Sequence, residues 1–454
     1  MEHRVSKWSK DPHARGIFGW YFFDWASQPF HTLLITFIFA PYLKELLGEG
    51  SKAQSIWGLT LGLAGVFVAI ASPWLGALAD RAGRRMWFVA LFSILYIMGS
   101  WGLWYSAPGD FSLIFLMLSF GIGLIGVEFA TVFTNSMLPD IAPKGQVGRV
   151  SGSGWAFGYV GGLIALVFVL LALADNGDSG MTLIGIAPMF GLDAAAREGV
   201  RAVGPFTAIW YAVFMIPFFL WVRLPHVTGK MSIGHALRRA GPELRASLRE
   251  LPKQRSLAAY LGASMLYRDA LNGFYAFGGI YAAGVLEWSL TSIGIFGIVT
   301  LITGAMFAWL GGRADDRFGP RRVIVISVIA LTIAAGSALM ISRDHVFGML
   351  VDESSSLPDI AFFLIGGIIG AAGGTLQAAS RTMLVRQARP EAMAEAFGLY
   401  ALAGKATSFI APLSISAITA LTGSQQLGMI PLMVLFLLSM ILLGFVKPKG
   451  DQPV

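Results

Sequence analysis

Apolar runs of bilayer-crossing length follow one another along the whole chain, separated by short turns that hold most of its charge. About 20 helical residues cross roughly 30 Å of hydrocarbon. That length predicts twelve spans, approximately Ile17 to Leu46, Ile56 to Ala79, Met86 to Ser106, Phe111 to Leu138, Gly152 to Ala174, Pro205 to Val222, Leu257 to Val285, Ser292 to Gly312, Val323 to Ile341, Ile360 to Ser380, Ala396 to Leu421 and Leu427 to Val446. Six lie on each side of a polar connection, so the expected organisation is a bundle over 1–224, a basic linker over 225–256 and a second bundle over 257–454.

Two of the turns match. The first carries Gly76, Asp80, Arg81, Gly83, Arg84 and Arg85; the second carries Gly312, Asp316, Arg317, Gly319, Arg321 and Arg322, departing by Arg313 and an inserted Pro320. A repeat in corresponding loops predicts a duplicated membrane architecture with its working site between the halves. In such a turn glycine permits the reversal, arginine holds the interface, and aspartate meets the positive N-terminal end of a neighbouring helix. Asp80 and Asp316 are therefore expected to act in a gate with Gly76, Arg81, Gly83, Arg84, Arg317 and Gly319, rather than to bind a solute.

Composition agrees with a bilayer protein: of 454 residues, 56% are hydrophobic and 13% charged, and mean hydropathy is +0.68. The pI of 9.6 invites a nucleic-acid reading, but the position of the cations removes it. Of the 33 Lys and Arg, 26 fall in segments on the N-terminal side of the membrane, five on the other side, and Arg268 and Lys405 inside spans. That asymmetry predicts both termini in the cytoplasm, in a bacterial inner membrane. The polar N-terminus and long first apolar run argue against a cleavable signal peptide, and the absence of cysteine excludes thiol chemistry.

The linker reads either as a cationic helix over His235 to Leu251 on an anionic leaflet or as a solvated connection. Asp175 to Gly204, the largest outer loop, is expected to be irregular, with a short apolar piece near Met181 to Leu192 and no chemistry of its own.

The paired turns resemble the signature between the second and third spans of the major facilitator superfamily and its copy between the eighth and ninth. The resemblance implies an all-α membrane protein with twelve transmembrane helices in the major facilitator fold, made of two pseudo-symmetric six-helix halves. Further motifs narrow it: Trp20, Tyr21, Asp24, Trp25 and Ala26; Asn135 to Pro143 followed by Gly148, Arg149, Ser151 and Gly152; Tyr267, Arg268 and Asp269 with Phe277 to Tyr281; and Phe397 to Tyr400 with Gly404, Lys405, Thr407 and Ser408. These are similar to the vacuole-effluxer-like branch, relatives of the fungal autophagy-linked vacuolar amino-acid exporter. After Ala26 the chain departs from that branch's small polar pair, carrying Ser27, Gln28 and Pro29.

Ionisable residues inside spans are costly and face a cavity or a partner. Asp24, Glu128, Arg268, Asp269 and Lys405 are placed there, with His31 as a sixth. They lie on the first, fourth, seventh and eleventh spans, and the resemblance implies that the first, fourth, seventh and tenth line a central path. Helical spacing puts Tyr21, Asp24, Gln28 and His31 on one face. It likewise groups Glu128, Thr131 and Asn135, and Arg268, Asn272 and Tyr275. Arg268 and Asp269 point about 100° apart, so at least one answers another helix. Pro29 either breaks the first span or kinks it.

Asp24, Gln28, Glu128, Asn135, Arg268, Asn272, Asp269 and Lys405 are accordingly candidates for contact with a zwitterionic solute, the alternative being permanent helix-holding pairs. Three acids face two bases, so protonating one acid balances the set. That makes Asp24 or Glu128 the candidate proton carrier, with His31 as relay or packing residue.

Gly121, Gly123 and Gly126 satisfy a dinucleotide pattern but lie mid-membrane, where its mechanism fails. The glycines at 154, 158, 161 and 162, and at 366, 367, 370, 373 and 374, read as close helix contacts. The expected function is secondary active transport of a small polar solute, amino acid efflux being favoured, by alternating access with proton coupling, in a monomer without cofactor or metal. Carriage of another organic or drug-like compound, lipid scrambling and a non-transporting membrane role are the alternatives.

Overall fold

A computed structural model of the chain describes residues 12–48, 50–175, 179–224, 242, 245–246, 249–288, 290–352 and 354–451. Most of His235 to Leu251, and with it the question of a cationic helix, lies outside the described residues. Among the described residues the fold is twelve membrane helices. Eleven are long and apolar enough to span by composition. The remaining one, Arg255–Val285, is 31 residues long and carries Arg268, Asp269 and Asn272.

The first span is composite: an α-helix over Pro12–Pro29, a π-helical stretch over Phe30–Phe37 and a further α-helix over Phe39–Leu47. Pro29 explains the change. It has no N–H to return to the Trp25 carbonyl, and that oxygen instead accepts the Trp210 indole N–H at 3.2 Å. Beyond it the ladder widens, with Ile38 N–H reaching Leu33 O at 3.0 Å. The span is thus modified at Pro29 without being interrupted.

The second to sixth spans are Gly50–Ala82, Arg85–Gly102, Leu113–Ser136, Val147–Phe168 with a π-helical end over Val169–Leu173, and Glu198–Arg201 continuing through Val203–Phe214 and Ile216–Trp221. The seventh to tenth are Arg255–Val285, Leu290–Phe318, Pro320–Ala338 and Leu357–Gln387. The eleventh is broken, running Met393–Ala406 and then Ile410–Thr422, and the twelfth is Ile430–Gly444. A two-stranded hairpin, His345–Val346 with Met349–Leu350, lies between the ninth and tenth.

Both repeated turns reverse at a glycine with positive φ, Gly83 at 59° and Gly319 at 86°, a region that costs glycine little. The spacing of Gly76, Asp80, Gly83 and Arg85 recurs unchanged in Gly312, Asp316, Gly319 and Arg321. Pro320 is therefore a replacement for Arg84 and not an insertion, and it begins the ninth span where its missing N–H has no partner to lose.

The chain forms two compact units, one of Met1–Ser72, Leu78–Ile141 and Phe157–Ala236, the other of Pro73–Ala77, Ala142–Ala156 and Leu237–Val454. The first has a core of stacked aromatics, with Tyr96 on Tyr211 at 3.9 Å and Phe92 on Phe133 at 5.8 Å. In the second, the eighth and tenth spans pack along their length, a fit made by Gly366, Gly370 and Gly374, where any side chain would strike Phe296, Thr300 or Gly304. Its C-terminal tail is clasped: Ser256 Oγ donates to Gln387 Oε1 at 2.7 Å, Gln387 Nε2 donates to Lys447 O at 2.7 Å, and Asp451 accepts the Ser256 N–H at 2.6 Å.

The described part of the loop up to Gly204 is irregular, as expected, and is tied down by two arginines. Arg197 pairs with Asp175 and, at 2.6 Å, with Glu45. Arg201 donates to Trp104 O at 3.0 Å and lies over the Trp104 ring. Both cations hold the loop to the helix ends.

Candidate functional site

In the first unit the polar face of the first span rests on glycines of the fifth. A Cβ at Gly158 would stand 3.1 Å from that of Asp24, and one at Gly162 would stand 2.6 Å from Gln28 Cγ and 2.8 Å from Thr32 Oγ1. Tyr21, Asp24, Gln28 and His31 are half-buried, so this face is neither solvated nor sealed. Trp20 anchors its N-terminal end by donating to Thr134 O at 2.9 Å. On the fourth span Glu128 is half-buried and Asn135 buried. Thr131 is turned back on its own helix, donating to Val127 O at 2.7 Å.

In the second unit Arg268 and Asp269 go to different places on the eleventh span. The Arg268 guanidinium donates to Tyr400 O at 3.0 Å and sits over the Tyr400 ring at 4.2 Å. Gly404 leaves the room, since a Cβ there would fall within 2.6 Å of the guanidinium. Arg268 thus reaches the turn that carries Lys405, which ends the helix Met393–Ala406. Asp269, only 2% exposed, accepts the Ala411 N–H at 3.0 Å. It caps the second half-helix, Ile410–Thr422, across the break at Thr407 to Phe409, where a free N-terminal N–H attracts a carboxylate. Asn272 and Tyr275 lie exposed on the same span as Arg268.

The aspartates of both repeated turns are hydrogen-bonded. Asp80 accepts Arg85 Nε at 3.1 Å and Nη2 at 2.8 Å, while Arg85 Nη1 reaches Asp140 at 2.9 Å and Ser136 O at 3.2 Å. Asp316 accepts the N–H groups of Gly148 at 2.9 Å and Arg149 at 3.1 Å, at the start of the fifth span. Arg317 lies over the Phe318 ring. Gly76 and Gly312 are both points of close backbone approach. A side chain at Gly76 would enter Ala394 and Glu395, and one at Gly312 would enter Gly148 and Gly152.

Two buried charges that the sequence did not single out, Arg381 and Asp315, belong to this contact. Arg381, counted among the cytoplasmic cations, lies in the tenth span and is 3% exposed. It donates to Ser151 Oγ at 3.1 Å and Ser151 O at 2.9 Å, and lies over Trp155 at 5.1 Å. Ser151 Oγ donates in turn to Ala378 O at 2.7 Å. Asp315, fully buried, occupies space that a Cβ at Gly148 would take. Arg381 was obscured by Arg386 and Arg389 just beyond it, and Asp315 by the motif aspartate beside it. Among the described residues no cluster of His, Asp and Glu could hold a metal ion.

Residues 44–451 match the family model described as "Vacuole effluxer Atg22 like". The uncharacterized MFS-type transporter YxiO of Bacillus subtilis is 23% identical over 443 residues, covering 96% of this chain and 95% of that protein. The multidrug resistance protein MdtG of Salmonella arizonae is 24% identical over 358 residues, covering 76% of this chain and 75% of that one. The proton:xylose symporter XylE, solved with 6-bromo-6-deoxy-D-glucose, superposes with a TM-score of 0.67 at 12% identity, over 96% of this chain and 95% of its own. The fold it shares with this chain is that of the major facilitator superfamily.

Proposed function

The chain belongs to the vacuole effluxer Atg22-like family, and from that membership we propose that it is a proton-coupled exporter of amino acids. Secondary transport of a solute is the activity of the superfamily whose fold it has; the amino-acid substrate, the outward direction and the proton coupling are what is proposed beyond it. The observation that carries it is the half-buried polar face of Tyr21, Asp24, Gln28 and His31 inside the first span. Polar groups kept in hydrocarbon without being sealed in protein serve a hydrophilic path.

In this reading Asp24 and Glu128 receive the solute ammonium or a proton, and Arg268 and Lys405 receive its carboxylate. Gln28, Asn135 and Asn272 supply neutral hydrogen bonds, and His31 relays the proton. Asp269 contributes indirectly, by holding the broken eleventh span that carries Lys405. The motif contacts act as the gate: Gly76, Asp80, Arg81, Gly83 and Arg84 in one turn, and Asp316, Arg317 and Gly319 in the other, engage in one state and part in the other. The protein works as a monomer in a bacterial inner membrane, with both termini in the cytoplasm.

Purified protein in liposomes, given an imposed pH gradient and screened against labelled amino acids, tests the reading. Saturable amino-acid flux that follows the gradient is expected. Flux of drug-like cations alone would favour a second reading, which the likeness to MdtG supports. Movement of lipid with no solute flux would overturn both. Retention of gradient-driven flux in the Asp24→Asn, Glu128→Gln double variant would remove the assigned proton carriers.

A further inference from the structure

Fourteen consecutive residues of the loop after the fifth span, Ser179 to Leu192, carry no charge, yet the loop stands on the far side of the membrane from the repeated turns. Its apolar side chains are turned outward. Leu183 is 73% exposed, Ile184 59% and Phe190 78%, and Met181, Ile186 and Met189 are exposed as well. Six large apolar side chains held outward within ten residues form a patch that water disfavours.

The backbone fixes where that patch sits. The π-helical end of the fifth span draws the Ala174 N–H to Val169 O at 2.7 Å, which leaves the Leu170 carbonyl without its usual helical donor. Leu183 N–H fills the place at 3.1 Å. A tight turn is then built around it, with Gly185 N–H on Thr182 O at 2.9 Å and Thr182 N–H on Ile186 O at 2.8 Å. The loop therefore turns back against the span one helical turn inside its end, at the edge of the hydrocarbon, where a bare carbonyl is costly. Val160, Ile164, Val167 and Phe168 of the same helix are exposed as well. At its other end Arg197, tied to Asp175 and Glu45, fixes the loop to the first and fifth spans.

We propose that the turn at 181–190 is a lipid-binding anchor, seated with Leu183, Ile184 and Phe190 in the bilayer leaflet opposite the repeated turns. Its occupant is the acyl region just beneath the headgroups, since the patch is uncharged and offers a phosphate nothing to bind. The anchor ties the outer ends of the first and fifth spans to one depth in the membrane. This holds whatever the solute.

The chain has no cysteine, so a single introduced one is a unique label site. Leu183→Cys and Phe190→Cys, each at a side chain that packs on little, are labelled with an environment-sensitive nitrobenzoxadiazole dye in the full-length protein. Ala195→Cys, exposed in the same loop, is the aqueous control. In phosphatidylcholine vesicles the two test sites are expected to emit further to the blue than the control. Quenching by nitroxide near the top of the acyl chain should exceed that by nitroxide at its end, and iodide should quench at least fivefold less than at the control. Emission and iodide quenching equal to the control at both sites would overturn the proposal. Protection from iodide and nitroxide alike would also overturn it, by showing the turn covered by protein.

Discussion

Replacing Asp316 by Asn removes one charge and leaves a single acceptor oxygen where Gly148 and Arg149 now donate at 2.9 and 3.1 Å. Hydrogen bonds to a charged group contribute about 1.5–3 kcal/mol each, and favourable interaction with a helix N-terminus adds about 0.3–1 kcal/mol. The Asp316 side chain is 11% exposed, so solvent weakens the pair only partly, and one hydrogen bond survives in weaker form. The net loss is about 1.5–3 kcal/mol. At about 1.4 kcal/mol per factor of ten, the parted state gains roughly 10- to 100-fold relative to the closed one.

Val150, on the same first turns of the fifth span and buried, reports the change. As a cysteine in this otherwise cysteine-free chain, it reacts with maleimide only when the contact opens. The labelling rate in vesicles should rise about 10- to 100-fold on adding Asp316→Asn. Arg149→Ala is the internal comparison, because its ion pair with Asp316 spans 3.8 Å and its side chain is half exposed. It should change the rate less than about fivefold, since an exposed pair is worth at most about 1 kcal/mol. A rate that stays within about twofold after Asp316→Asn would refute the helix-terminus lock.

Four other outcomes follow from the same geometry. Gly76→Leu forces a side chain into the Ala394 and Glu395 backbone, and is expected to abolish solute flux while leaving the protein inserted, read by transport beside membrane yield. Arg381→Lys keeps the charge but loses the fork that meets Ser151 twice, and should lower stability by about 2 kcal/mol, measured by thermal unfolding in detergent. Asp269→Asn retains an acceptor for the Ala411 N–H and should unfold near the native temperature, whereas Asp269→Leu should lose about 1–3 kcal/mol; equal losses would contradict the capping role. The Ser256 N–H and then Lys447 hold the Asp451 carboxyl below its ordinary pKa. Its contribution to the tail clasp is therefore complete above the usual carboxylate range and is lost as pH falls through the lowered value, so hydrogen exchange at 446–451 should quicken only in that acid range.

The sequence made the spans legible because hydrocarbon imposes length and apolarity on every one of them. The duplicated turns were legible because a reversal needs glycine and an interface needs arginine. It also placed Arg268 and Asp269 on different faces, which the separate contacts with Tyr400 and Ala411 display. The pairing of one backbone with another was not legible. Gly148 and Gly152 look like any small residues until Gly312 and Asp315 are set against them. The break in the eleventh span had one local sign, Pro412, which has no N–H to return to the Ser408 carbonyl, but its other support was not legible. What stabilises it is a carboxylate 142 positions away.

Coupled movement of solute and protons is the most direct test of the central claim. Proteoliposomes containing a pH dye are loaded with one amino acid at a time, diluted into amino-acid-free buffer and followed for internal pH. Efflux of the transported amino acid should move protons the opposite way or with it in a fixed ratio, and that pH signal should vanish in the Asp24→Asn, Glu128→Gln variant. Amino-acid efflux at the native rate with no pH signal, or a pH signal unchanged in the variant, would contradict the account.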